Sequence, residues 1–247
     1  MEFEKNLGNL VEKKESRGRT INLVMLHNFE FDKNTGELKM PLEKLEELTE
    51  NISKKSGIVK FYTGTPTKND STPERIPKTL ALIIDQMKKR EIEVRPTRER
   101  KQLERMPGTP DYYAFLAKKA QDENPNLNDK NTMEVLQSVG PALYDLWAKH
   151  PDPQKNITTA EESISKLKKM VQTIKGIAER SPANFPDATV VMIVDRQVQA
   201  WLTQQTGIPS KELGIITDDE PIEITFSGNK EEKVKFSFKS REYDLNL

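Results

Sequence analysis

The chain has 247 residues, and its 39 lysines and arginines balance 39 aspartates and glutamates, so the formal net charge is zero. There is no cysteine, and the histidines are His27 and His150. This excludes a disulfide scaffold, a thiolate zinc centre and a cysteine nucleophile, and leaves any metal site to carboxylates.

The first twenty residues carry nine charges and no apolar run long enough for a signal peptide or membrane helix. They predict a soluble, cytoplasmic protein. Residues 1–18 read as a charged N-terminal segment that need not be ordered, ahead of a single α/β domain over 19–247. The balanced charge gives no general attraction to nucleic acid or to a membrane.

From there the chain alternates. Ile21 to Leu26 (INLVML) is a near-continuous apolar run, as a strand buried on both faces requires. Leu42, Leu45, Leu48 and Ile52 recur at helical spacing. Ile58 to Tyr62 predicts a second strand, Thr79 to Met87 a second helix and Ile92 to Val94 a third strand. About ninety residues follow, roughly 97–188, with eight of the fifteen prolines and weak helical patterns over 110–120 and 133–149. A structureless loop of that length is unusual, so the stretch predicts an α-helical cap insertion. Its last helix, Thr159 to Ala178, starts with a T-x-x-E capping box and carries one apolar stripe. Thr189 to Val194 is the fourth strand, and Val198 to Gln205 is a helix stopped by Gly207 and Pro209. Ile222 to Phe226 and Val234 to Phe238 alternate and read as an edge hairpin. The predicted fold class is α/β: a three-layer α/β/α sandwich with a mainly parallel sheet, an edge hairpin and a helical cap.

Ligands of open parallel sheets bind beyond the carboxyl ends of the strands. The residues there are His27 and Asn28, then Thr63, Gly64 and Thr65 in a loop leading to Arg75, then Thr97 to Arg100, then Asp195, Arg196 and Gln197. Guanidiniums clamp phosphoryl oxygens and an imidazole can attack phosphorus, so this inventory suits a phosphoryl group.

The order of these segments, from about Ile21 to Phe238, resembles the histidine phosphatase superfamily, the phosphoglycerate-mutase-like proteins. LVMLHNFEF stands where that family has a strand ending in R-H-G. MPLEKLEEL stands at its P-L-T helix, and Arg75 lies four residues before Thr79, as in its R-x-x-x-T helix start. IEVRPTRER stands at its acid motif, Glu162 and Ser163 at a helix opening in E-S, and VVMIVDRQ at its last motif. The resemblance implies a phosphohistidine mechanism without a cofactor or metal. In it His27 would be the nucleophile, Glu99 the acid, and Arg75, Arg196, Asn28 and Thr65 the phosphate-binding residues. The departures are Leu26 for the family arginine, Asn28 for its glycine and Arg196 for its second histidine. Losing one preorganised oxyanion donor costs roughly 10²–10³ in rate. The first expectation is therefore a pocket for phosphate or a phosphorylated small molecule, with phosphatase activity impaired or lost. An active phosphomonoesterase or phosphomutase working through His27 is the second. A non-catalytic domain that binds a protein partner through the cap is the third.

Bland readings accompany each residue. His27 at a strand end can be structural, Arg75 can be solvated beside Glu74, and Glu99 sits in a mixed charge run. Arg196 can pair with Asp195. His150 reads as a helix C-terminal residue, and Tyr144 and Trp147 as cap core. Asp218, Asp219 and Glu220 form an acidic turn.

Overall fold

A computed structural model describes residues 18–32, 34–64, 74–100, 103, 109–155, 157–182, 184–195, 197–214, 216–217, 219–228 and 232–247. The predicted segment 1–18 lies outside them except for its last residue. Seven strands form one sheet: β1 (Gly18–His27), β2 (Ile58–Thr63), β3 (Glu93–Glu99), β4 (Ala188–Val194), β5 (Ile222–Gly228), β6 (Lys235–Phe238) and β7 (Arg241–Asp244). Their order is β3-β2-β4-β1-β5-β6-β7. The first four are parallel, and β5, β6 and β7 add antiparallel to the far side of β1.

The period of two decides which core each β1 side chain joins. Ile21, Leu23 and Met25 face one layer, and Val24 and Leu26 face the other. Both sets are at most 1% exposed. Helices α1 (Leu42–Lys55) and α2 (Arg75–Lys89) cover the Val24 face through Leu45, Leu48, Ile52, Ile83 and Met87. Helices α6 (Ala160–Arg180) and α7 (Gln197–Thr206) cover the opposite face through Leu167, Val171, Ile174, Trp201 and Leu202. Thr159 caps α6 with the expected box: its hydroxyl accepts from the Glu162 amide, and the Glu162 carboxylate accepts from the Thr159 amide.

The insertion forms α3 (Pro110–Glu123), α4 (Thr132–Val139) and α5 (Ala142–Lys149). Tyr112, Leu116, Val135, Leu146 and Trp147 make its own small core, which closes on Ala160 and Ala200 of the sandwich. The helix read over 133–149 is broken between α4 and α5, because Gly140 takes a φ of +49° and Pro141 follows. Since α6 packs on the sheet, the helices that stand off it are α3 to α5. His150 caps α5, with its amide donating to the Leu146 carbonyl and its Nε2 3.4 Å from Glu123. A short α8 (Ser210–Leu213) follows α7.

Two strands depart from expectation. β3 runs on to Glu99 through Pro96, which an edge strand tolerates because no ladder bond is needed there, and its register with β2 shifts at that point. β7 was not predicted. It has one large apolar residue, Tyr243, which stacks on Phe236 with ring centres 5.1 Å apart, and it follows a turn of two positive-φ residues, Lys239 and Ser240. No helix among the described residues is long and apolar enough to cross a membrane.

Gly18 and Gly228 meet where β1 enters its pairing with β5. A Cβ on Gly228 would collide with the Gly18 backbone, and one on Gly18 would collide with the Ala178 carbonyl of α6. Backbone cannot swing aside as a side chain can. Gly228→Ala is expected to cost ~1–3 kcal/mol as overpacking, read as a lower urea midpoint with an unchanged slope. An unchanged midpoint would show that β1 begins beyond this contact.

Candidate functional site

The β1–β4 register ends with His27 opposite Val194. One more ladder bond, from the Asn28 amide to the Val194 carbonyl at 3.2 Å, carries the pairing past the strand end. The chain then turns, and Phe29 drops fully buried into the α1/α2 core. The first turn of α2 fixes this exit. The Phe29 amide donates to Thr79 Oγ1 at 3.1 Å, and Arg75 Nε and Nη2 donate to the Phe29 carbonyl at 3.1 and 3.0 Å. Arg75 is the first residue of α2, where the helix dipole disfavours a cation. The carbonyl compensates it. Among the described residues Arg75 makes no ion pair, and it lines the cleft described below.

His27 Nδ1 lies 3.1 Å from the Asn28 carbonyl. A carbonyl only accepts, so Nδ1 carries the hydrogen and Nε2 is the ring's reactive nitrogen. Nε2 faces Asp195 Oδ1 at 3.6 Å. Asp195 follows β4 and its side chain is 5% exposed, against 19% for His27. The two side chains form an ion pair when the imidazole is protonated.

These groups open on a cleft of about 430 Å³ at the carboxyl ends of β1 and β4. Its charged rim is paired. Lys39 Nζ is 3.3 Å from Glu30 across the stem of a small β-turn arm, and Lys44 of α1 bonds Asp219 on the loop after α8. Lys44 and the Thr217 hydroxyl together hold the Asp219 carboxyl below its ordinary value of 3.8. The buried Gln199 amide pins that loop in both directions, donating to the Gly214 carbonyl at 3.0 Å and accepting from the Ile216 amide at 3.2 Å.

The sequence-derived set divides. His27 and Arg75 share the cleft. Asn28 does not line it; its side chain is fully buried behind His27, and neither amide atom has a partner among the described residues. Glu99 is the exposed last residue of β3, paired in register with Thr63, with β2 and β4 between it and β1. The structure does not bring it to the cleft. Thr65 and Arg196 lie outside the described residues. Lys39, Lys44 and Tyr144 reach the site without a sequence signal for it, and Asp195, named at its strand end without a role, joins them. In the acidic turn Asp219 pairs with Lys44 and Glu220 lies 3.4 Å from Lys239, while Asp218 lies outside the described residues.

No protein-family model matches the sequence, and no curated protein matches it either. Solved structures do match its fold. Phosphoglycerate mutase from Bacillus anthracis str. Sterne superposes at a TM-score of 0.50 with 13% identity, over 92% of this chain and 95% of that one. A mycobacterial hydrolase superposes at 0.50 with 11% identity, over 88% and 96%. The chain therefore has the histidine-phosphatase, phosphoglycerate-mutase-like fold that its motif order resembles.

Two outcomes follow from the geometry. Thr79→Val leaves the buried Phe29 amide without its acceptor and is expected to cost ~1–3 kcal/mol in chemical denaturation; no loss would show that the β1 exit is held without this bond. For Asp219, a lowered folded value means that the latch to Lys44 adds stability above the ordinary value of 3.8 and loses it as pH falls through the lower folded one. A carboxyl carbon titration should give a midpoint below 3.8 that Lys44→Met restores to the ordinary range. A midpoint already ordinary in the unaltered protein would show that the latch does not persist in solution.

Proposed function

We propose that the cleft binds phosphate or a phosphorylated small molecule, and that the phosphohistidine reaction is impaired. The observation that carries both halves is that His27, Arg75 and Asp195 line one cleft. Arg75 offers a guanidinium with no carboxylate partner among the described residues, at a strand end where this fold places ligands. That supports anion binding. Asp195 supports the loss of chemistry. Asp195 Oδ1 lies 3.6 Å from Nε2, so a phosphoryl group approaching that nitrogen would meet the carboxylate's charge at close range. The solved phosphoglycerate mutase is named for a phosphorylated substrate, which agrees with the ligand class.

Inorganic phosphate should shift the His27 ring and Arg75 guanidinium resonances at millimolar concentration. At pH 6 an imidazole can stay protonated without a carboxylate beside it. There Asp195→Asn should tighten phosphate binding roughly tenfold, the effect of relieving ~1.4 kcal/mol of repulsion. Incubation with phosphomonoesters should yield no phosphohistidine. Unshifted resonances would remove the pocket. Turnover that disappears in His27→Ala would instead establish an active phosphatase or mutase.

A further inference from the structure

The cleft is built for more than a phosphate. Besides its charged groups the cleft is lined by Met40 and Pro41 from the α1/α2 layer, by Val198 and Ile216 from the α6/α7 layer, and by Tyr144. Met40, Val198 and Ile216 are at most 6% exposed, so they form a packed surface. Tyr144 belongs to α5 and is half-buried, and among the described residues it alone brings the inserted helices to the cleft. Its position is anchored. The next residue, Asp145, accepts from the Ser210 amide of α8 at 3.3 Å, and Leu146 and Trp147 are buried in the cap core beneath it. A volume of about 430 Å³ lies in the range of pockets for ring-bearing metabolites, and an isolated phosphate would leave most of it filled with water.

Resting on the phosphate-binding reading above, we infer that the ligand is a phosphomonoester carrying one flat ring, and that Tyr144 is the residue that selects it. The phosphate lies toward Arg75 and His27, and the ring lies against Tyr144. The rim argues the same way. Lys39 and Lys44 are each engaged with a carboxylate, so charge alone gives an anion little advantage. Discrimination must come from the uncharged part of the ligand, where stacking and burial of an aromatic face are available.

Three probes separate the contributions: inorganic phosphate, glycerol 3-phosphate and phenyl phosphate, titrated by calorimetry and by the shift of the Tyr144 ring protons. Phenyl phosphate is expected to bind roughly tenfold more tightly than glycerol 3-phosphate. It should also shift the Tyr144 ring, which inorganic phosphate leaves in place. Tyr144→Ala should abolish that preference and keep the affinity for inorganic phosphate, whereas Tyr144→Phe should retain the preference. If Tyr144→Ala does not fold, the ring-proton shifts of the unaltered protein decide the matter. Equal affinity for the two esters, or a preference that survives in Tyr144→Ala, would overturn this inference and leave the phosphate pocket intact. Failure of all three probes to bind would overturn both.

Discussion

Pairing between β1 and β4 is the contact on which the core and the site both depend. The two strands run parallel from Ile21 beside Ala188 to His27 beside Val194, at the centre of the sheet and buried on both faces. A slip of one residue would exchange Leu23 and Met25 with Val24 and Leu26 between two differently shaped cores. It would also carry His27 past Asp195. The register that the packing enforces is therefore the register that aligns an imidazole with a carboxylate. Neither could drift without unpacking the other.

From that alignment the rest of the site is held by groups outside the sheet. The exit of β1 is tied to α2 by Thr79 and Arg75, and the loop after α8 is tied to α7 by Gln199. These are buried or half-buried bonds to backbone, which fix position more firmly than exposed ion pairs do. The rim pairs Lys39–Glu30 and Lys44–Asp219 are more exposed and screened by salt. The site thus has a stiff floor and a loose rim. A ligand can displace the rim lysines at small cost, while His27, Asp195 and Arg75 keep their places.

What the sequence made legible follows from the same physics. Strands buried on both faces leave apolar runs, so β1 and β4 were readable at once. Amphipathic helices leave stripes, so α1, α2, α6 and α7 were readable too. β7 was not, because an edge strand of Arg, Glu, Tyr and Asp buries one ring against Phe236 and carries no pattern of its own. The break at Gly140 was hidden inside a plausible helical stretch. In the site, His27 and Arg75 were found because strand ends and a motif point to them. Glu99 was chosen for its motif, and nothing local in the sequence could show that β3 ends away from the cleft. Tyr144 was read as cap core, which half describes it. Whether an aromatic of an inserted helix faces its own core or a neighbouring cleft depends on how that helix docks, here through Asp145 and Ser210.

Fold and reaction separate at the end of β4. Backbone geometry there is set by the sheet and tolerates many side chains, while the field at His27 Nε2 is set by whichever side chain stands beside it. Asp195 Oδ1 stands there, 3.6 Å from that nitrogen. Unit charges about 4 Å apart near a protein surface interact with ~4 kcal/mol. Reversing the sign of such an interaction outweighs several times the ~1.4 kcal/mol that makes a factor of ten in rate. A carboxylate at that strand end is the ground for the impairment proposed above, and it leaves the backbone pairing of β1 with β4 as it is. Arg75 and Tyr144 lie outside that conflict, so on the readings proposed above recognition of a phosphorylated ring compound does not depend on the covalent step.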